Sequence, residues 1–418
     1  MEGLPMTIDI KAVEALDRDD PFAGFKSRFD LPDGVTYLDG NSLGAALHAS
    51  YAEIEKAAKL EWGRDLIRSW NTAGWFALPL TLGDRVGRLI GAAPGQTAVT
   101  DHTSANVYKA LHAALGLNAE RKVIVAESES FPTDLYMAEG VMATRPGTVM
   151  RLEGVDGARI EDLIDESVAV VLVNHVNYKT GALRDMAALT RRAHEAGALV
   201  VWDLCHSAGA LPVELDRCNV DFAVGCTYKY INGGPGAPAF IYVAARHQDK
   251  VSQPLSGWWG HARPFGFERN YDGGAGILRF LSGTQPILSL RALSAALDLW
   301  DEVDLAAIRK KSIALTDLFI ALVEARCGAH GLKLVGPRDG TTRGSQVSFE
   351  HESAYEIMQA LIERGVIGDF RAPATIRFGF TPLYTSFADV WNAVDVLHDV
   401  METGAWRDAR YAVRSTVT

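Results

Sequence analysis

At 418 residues, with 48% hydrophobic and 22% charged residues and no biased tract, the chain is too long for a single hydrophobic core and too ordinary in composition for disorder. A formal net charge of -11 leaves no basic footprint for nucleic acid or an anionic membrane surface, so any anion must be met by a local site. The four cysteines (Cys205, Cys218, Cys226 and Cys327) form no CxxC pair and share no zinc-like spacing with histidines, which predicts no metal and reduced thiols in a cytoplasmic setting.

The N-terminal stretch 1–20 carries acids where an export signal needs basic residues ahead of an apolar core, so no export is expected. The longest apolar runs, such as 168–173 and 196–202, fall far short of the ~20 residues that cross a bilayer and suit buried strands instead. From about residue 85 to 245, helical periods alternate with short β-branched runs, which predicts an α/β domain with a mostly parallel sheet. Residues 106–115 place Val107, Ala110, Leu111, Ala114 and Leu115 on one helical face. Strands are expected at 122–126, 168–173, 199–202, 222–226 and 240–243, and a helix at 184–196. The Gly/Pro-rich stretch 254–286 reads as a long loop, and loops of that length are usually functional. Helices at 288–303 and 306–326, strands at 333–335 and 346–349, and a helix from Ala388 then build a smaller α+β domain. The expected division is a large domain over 65–300 and a small one built from 1–64 and 301–418, without internal repeats.

The strand at 199–202 ends in Asp203, and the next one runs into Thr227, Tyr228 and Lys229. Ligands of open α/β sheets sit at the carboxyl ends of strands, so both side chains should face one crevice. A lysine there can form a Schiff base with an aldehyde, and an aspartate there can keep a pyridine nitrogen protonated. Alone, each residue is more often a turn former or a solvated charge. Together, and followed by Gly233, Gly234 and Gly236, they point to a site that backbone approaches closely. Thr103 or Ser104, just ahead of the amphipathic helix, can cap it and make its N-terminus a phosphate site. Arg377 lies in the apolar run 375–380, a poor setting for a surface residue, and its planar guanidinium suits a carboxylate.

The stretches Asp203-Leu204-Cys205-His206-Ser207-Ala208-Gly209 and Thr227-Tyr228-Lys229-Tyr230-Ile231-Asn232-Gly233-Gly234-Pro235-Gly236 resemble the cofactor-binding core of kynureninases. These belong to the class V aminotransferase group of fold-type I pyridoxal 5′-phosphate (PLP) enzymes. The segments at 37–44 (YLDGNSLG), 131–134 (FPTD) and 257–261 (GWWGH), and Arg377 followed by Pro382-Leu383-Tyr384, agree, so the resemblance runs from about residue 35 to residue 400. The Asp/Lys core is widespread among PLP enzymes, whereas DGNSLG, FPTD and GWWGH are far more specific.

The resemblance implies an α/β, fold-type I PLP-dependent transferase-like fold. It makes Lys229 the Schiff-base lysine, Asp203 the partner of the pyridinium nitrogen, and Thr103 and Ser104 phosphate ligands. Phe131 would stack on the ring, Asp134, Asn174 and His206 would lie around the cofactor, and Tyr228 would be both a phosphate ligand and a proton donor. Arg377 would clamp the α-carboxylate of a small amino-acid substrate, while Trp258 and Thr284 would reach the partner's phosphate in a homodimer with shared sites. The implied reaction is hydrolysis of the Cβ–Cγ bond of L-kynurenine, or of 3-hydroxykynurenine, to an anthranilate and L-alanine, in tryptophan catabolism. A competing reading is a cysteine desulfurase or selenocysteine lyase, which needs a reactive thiol on a mobile loop, with Cys327 as the candidate. A non-catalytic regulator on an aminotransferase-like domain would need a basic DNA-binding module that this acidic chain lacks. Cys205 reads as a packing residue. Trp62, Trp70 and Trp75 read either as an aromatic substrate pocket or, more commonly, as core or interface.

Overall fold

The computed structural model describes residues 9–414, so residues 1–8, part of the stretch judged above for export, lie outside the described residues. Two compact units emerge among the described residues, one of residues 49–178 and 184–302, the other of 9–48, 179–183 and 303–414. Residues 49–64 thus pack with the larger unit, where the sequence suggested the smaller, and 179–183 insert into the smaller one.

The larger unit is a seven-stranded sheet with helices. In chain order its main elements are α1 (Leu78–Leu89), β1 (Thr97–Val99), α2 (Thr103–Leu117), β2 (Val123–Glu127), α3 (Pro132–Thr144), β3 (Val149–Glu153), β4 (Val168–Asn174), α4 (Met186–Glu195), β5 (Leu199–Asp203), β6 (Phe222–Gly225), β7 (Phe240–Val243) and α5 (Ile287–Trp300). The order across the sheet is β1-β7-β6-β5-β4-β2-β3. Only β7 runs against its neighbours. Every residue of β4, VAVVLVN, is buried, as a strand covered on both faces requires. The predicted face of α2 is buried at Val107, Ala110, Leu111, Ala114 and Leu115. The edge strand β3 escaped prediction because none of its five residues is fully buried, which blurs the apolar pattern. Strand order reverses between β2 and β4, and a crevice for ligands is expected outside the carboxyl ends there. The stretch 254–286 contains three single-turn 3-10 helices and drives Trp259, Ile277, Phe280 and Leu281 into the core, so it is a packed element rather than a free loop.

The smaller unit carries α6 (Leu305–Cys327), β8 (Lys333–Val335), β9 (Gln346–Glu350), α7 (Ala354–Glu363), β10 (Asp369–Arg371), β11 (Thr375–Gly379) and α8 (Phe387–Thr403). Its sheet is antiparallel in the order β8-β9-β11-β10. Phe319 of α6 meets Phe349, Phe378 and Phe380 at the centre of its core. Helix α8 starts at a reciprocal cap, where Ser386 Oγ accepts from the Asp389 amide and the Asp389 carboxylate from the Ser386 amide. Residues 36–37 pair in parallel with 366–367, tying the N-terminal segment to this unit.

Candidate active site

In the larger unit the carboxyl ends of β2, β4, β5 and β6 deliver the side chains singled out above. Asp203 closes β5 and is 6% exposed, and Asn174 closes β4 beside it in register. The Cys205 amide donates to Asp203 Oδ1 at 2.6 Å, which orients the carboxylate. Asp134, on the first turn of α3, is buried and accepts from Asn174 Nδ2 at 3.0 Å. Burial and the negative charge of Asp203 push the Asp134 carboxyl well above the ordinary carboxylate range. The Asp134 carboxyl therefore favours its protonated form. Asn174 Oδ1 is buried and has no hydrogen-bond partner among the described residues. Behind them Glu127, at the end of β2, accepts the Asn174 amide at 2.8 Å and pairs with Arg184, which also bridges to Glu153.

A tight turn after β6 presents Lys229: Thr227 O accepts from the Gly233 amide at 2.8 Å, and Asn232 adopts a left-handed φ of 63°. Lys229 Nζ lies 3.0 Å from His206 Nε2, and 6.0 Å from the ring centres of both Phe131 and Tyr228. Phe131 is 45% exposed and packs edge-on with Tyr178, ring centres 5.3 Å apart. The Cys226 thiol and burial hold the Tyr228 phenol above its usual range, so it keeps its proton.

The expected cap of α2 at Thr103 or Ser104 is corrected: His102 takes that position, its Nδ1 accepting from the Ala105 amide at 3.3 Å. Thr103 and Ser104 instead form the first helical turn, where amides lack intrahelical acceptors, and their hydroxyls are not spent on capping. Asp101 precedes them in a left-handed conformation, φ 50°. Its carboxylate accepts from Lys109 Nζ at 2.5 Å and from Thr100 Oγ1 at 2.9 Å, and its amide donates to Gln285 Oε1 at 3.1 Å. Thr284, next to Gln285, is exposed. Trp258 is 37% exposed and rests on Trp70 and Trp259, with ring centres 5.7 and 5.3 Å away. Trp75 meets Trp70 at 6.0 Å, whereas Trp62 is 62% exposed, so the three tryptophans do not form one pocket.

In the smaller unit Arg377, 1% exposed, lies directly across from Asp369 in the β10–β11 register. Its Nε donates to Asp369 Oδ1 at 2.9 Å, and its Nη2 to Asp369 Oδ2 and to Ser42 Oγ at 2.8 Å. Burial alone would raise the Asp369 carboxyl, but Arg377 and Arg371 hold it below its ordinary value. Asp39 is pushed up to about 8 by burial and by the charge of Asp369, against the pull of Arg377. The guanidinium proposed for a substrate carboxylate thus already holds a carboxylate of its own unit. Cys327, the thiol considered for desulfuration, is fully buried in the core of this unit, where burial raises it to about 11. Neither Asp369 nor the Lys109–Asp101–Gln285 cluster was anticipated, although a lysine on the otherwise apolar face of α2 was a readable sign of the latter.

Among solved structures, the chain is similar to the apo cysteine desulfurase of Thermococcus onnurineus, with a TM-score of 0.75 at 18% identity over 92% of this chain and 98% of that one. A cysteine desulfurase of Escherichia coli gives a TM-score of 0.74 at 18% identity, covering 91% and 98%. The architecture is therefore that of the fold-type I PLP enzymes, and identity this low speaks for the fold alone. Sequence relatives are more specific. The kynureninase of Burkholderia pseudomallei is 54% identical over 97% of this chain and 98% of its own length, and that of Pseudomonas fluorescens is 53% identical with the same coverage. A family model described as the kynureninase C-terminal domain matches residues 308–397. The chain belongs to the kynureninase family.

Proposed function

We propose that the chain hydrolyses the Cβ–Cγ bond of L-kynurenine or 3-hydroxykynurenine with PLP as cofactor, giving the corresponding anthranilate and L-alanine. The observation that carries this reading is that Asp203 and Asn174 end neighbouring strands in register, that Asp134 meets Asn174 from the first turn of α3, and that Lys229 lies against His206 in the turn after β6. The residues fit the cofactor: a lysine amine, a buried carboxylate for a pyridinium nitrogen, an open helix start for a phosphate, and an Asn174 oxygen still lacking a donor. Bound PLP supplies the electron sink that makes loss of a Cα proton feasible.

Lys229 would hold the cofactor aldehyde covalently and, as a free amine, would be the base for the Cα proton, with His206 beside its Nζ. Asp203 keeps the ring nitrogen protonated by direct charge pairing, while Asn174 and Asp134 hold that carboxylate's surroundings. The Thr103 and Ser104 amides and hydroxyls would bind the phosphate, and the part-exposed Phe131 would pack on the ring. Tyr228, which retains its proton, returns one to the alanine fragment. Arg377 recognises the α-carboxylate of the substrate. The active unit is a homodimer in which Trp258 and Thr284 complete the partner's phosphate site, and a cytoplasmic setting is supported by four free thiols.

Mixing the PLP-loaded protein with L-kynurenine should yield anthranilate fluorescence and alanine in equal amounts. Sulfide release from cysteine without anthranilate would replace this reading by a desulfurase. For the shared sites, a chain dead at Lys229 and a chain carrying Trp258→Asp, mixed after mild dissociation, should recover up to about a quarter of wild-type activity, because a two-fold dimer collects both defects in one site. Verified mixed dimers without recovery would confine Trp258 to its own chain.

A further inference from the structure

The larger unit holds a buried charge that the proposed reaction does not use. Lys109 lies on α2, 0% exposed, among Val107, Ala110 and Leu111. A cation at such a position is costly unless fully paired. Its Nζ donates to Asp101 Oδ2 at 2.5 Å and to the Phe280 carbonyl at 2.6 Å. Asp101 is the last residue before the His102 cap, and its left-handed backbone is one a non-glycine residue adopts only when its surroundings hold it there. They do so at every polar group: Lys109 and Thr100 on the carboxylate, Gln285 Oε1 on the amide, and the Ala239 amide at 2.9 Å on the carbonyl. Two of these ties, Lys109 to Phe280 and Asp101 to Gln285, run to the stretch that carries Thr284. The other end of the cluster is one residue from the start of α2.

We infer that Lys109 is a positioning residue: anchored on the Phe280 carbonyl, it holds Asp101 and through it the backbone that enters the Thr103–Ser104 helix start, and so sets the grip of that helix start on a phosphate monoester. The inference rests on the reading of Thr103 and Ser104 as phosphate ligands. It does not make Lys109 touch the phosphate. Loss of Lys109 removes one of the two donors on the Asp101 carboxylate and the tie to Phe280, so the backbone entering the helix start is held less firmly.

The test compares PLP with pyridoxal, which has the same ring and aldehyde but no phosphate. Dissociation constants of both are measured by absorbance titration of the apo protein, with inorganic phosphate as competitor. Lys109→Met should weaken PLP by about ten- to a hundredfold, the effect of losing a hydrogen bond between charged groups, and leave pyridoxal within about threefold. Gln285→Ala removes a second tie without altering charge and should move the same ratio by a smaller factor, which keeps the test valid should Lys109→Met fold poorly. A general structural role would weaken both ligands alike, and that result, or an unchanged ratio in both variants, overturns the inference. Ser104→Ala is the control for the underlying reading. If it shifts the ratio while Lys109→Met and Gln285→Ala do not, only the positioning role falls. If the reverse holds, the phosphate is bound elsewhere and both fall.

Discussion

The two sets of candidate site residues, one in each unit, treat their polar groups in opposite ways. In the larger unit the groups at the strand ends are left with unused capacity: Asn174 Oδ1 lacks a partner, Phe131 is 45% exposed, and the first turn of α2 offers amides. In the smaller unit Arg377 is buried and held on one edge by Asp369, with Asp39 protonated beside them. A site for a large cofactor can stay open because a rigid parallel sheet holds its parts apart. A lone buried guanidinium cannot, because an unpaired charge in that environment costs several kcal/mol. The strand ends of the larger unit are thus preorganised by topology, and Arg377 in the smaller unit by an internal counter-ion.

The sharpest way to break this comparison is at Lys229. Lys229→Ala should abolish the borohydride-reducible cofactor link and turnover together, and normal turnover in that variant would place the covalent anchor elsewhere. Next in size is Asp203→Asn, which keeps shape but removes charge, so exchange of the substrate α-hydrogen should slow by orders of magnitude. Deuterium exchange followed by NMR reads this directly, and a wild-type rate would end the electron-sink assignment.

On the smaller unit, Arg377→Lys replaces a planar two-pronged donor by a point charge. Affinity for kynurenine should fall about ten- to a hundredfold while PLP stays bound, as measured by substrate titration, and unchanged affinity would assign the carboxylate to another residue. Asp369→Asn separates the roles of the pair: breaking one partner of a buried ion pair should lower stability by about 3–5 kcal/mol, seen in chemical denaturation, with PLP affinity unaltered.

The last test concerns pH dependence. Asp39, pushed up to about 8, holds a proton in the folded chain that the unfolded chain has released from about pH 4 upward. Unfolding then releases a proton, so this group's contribution to stability is present below pH 4 and is lost as pH rises towards 8. Asp39→Asn should flatten the fall in denaturation midpoint across that window. A midpoint curve with the same slope in both proteins would mean that the Asp39 carboxyl is ionised in the folded state.

Much of the larger unit was legible because its signals are local. A buried strand such as β4 announces itself by consecutive β-branched residues, and α2 by apolar residues at helical spacing, so the ends that carry Asp203 and Lys229 could be placed from the sequence. The specific segments DGNSLG, FPTD and GWWGH were equally visible, as they are contiguous in the chain. The edge strand β3, half-exposed throughout, had no such pattern.

What tertiary structure alone decided was the choice of partner. Arg377 meets Asp369 because β10 and β11 pair in that register, and a shift of one residue would turn the two side chains to opposite faces. Gln285 reaches Asp101 across 184 positions of sequence, and His102 rather than Thr103 caps α2 because Asp101 turns the backbone just before it. Sequence patterns report which face a residue buries, since burial follows the period of its own element. They do not report which distant polar group it meets there, since that is settled only when separate elements pack and every buried donor and acceptor must find a match.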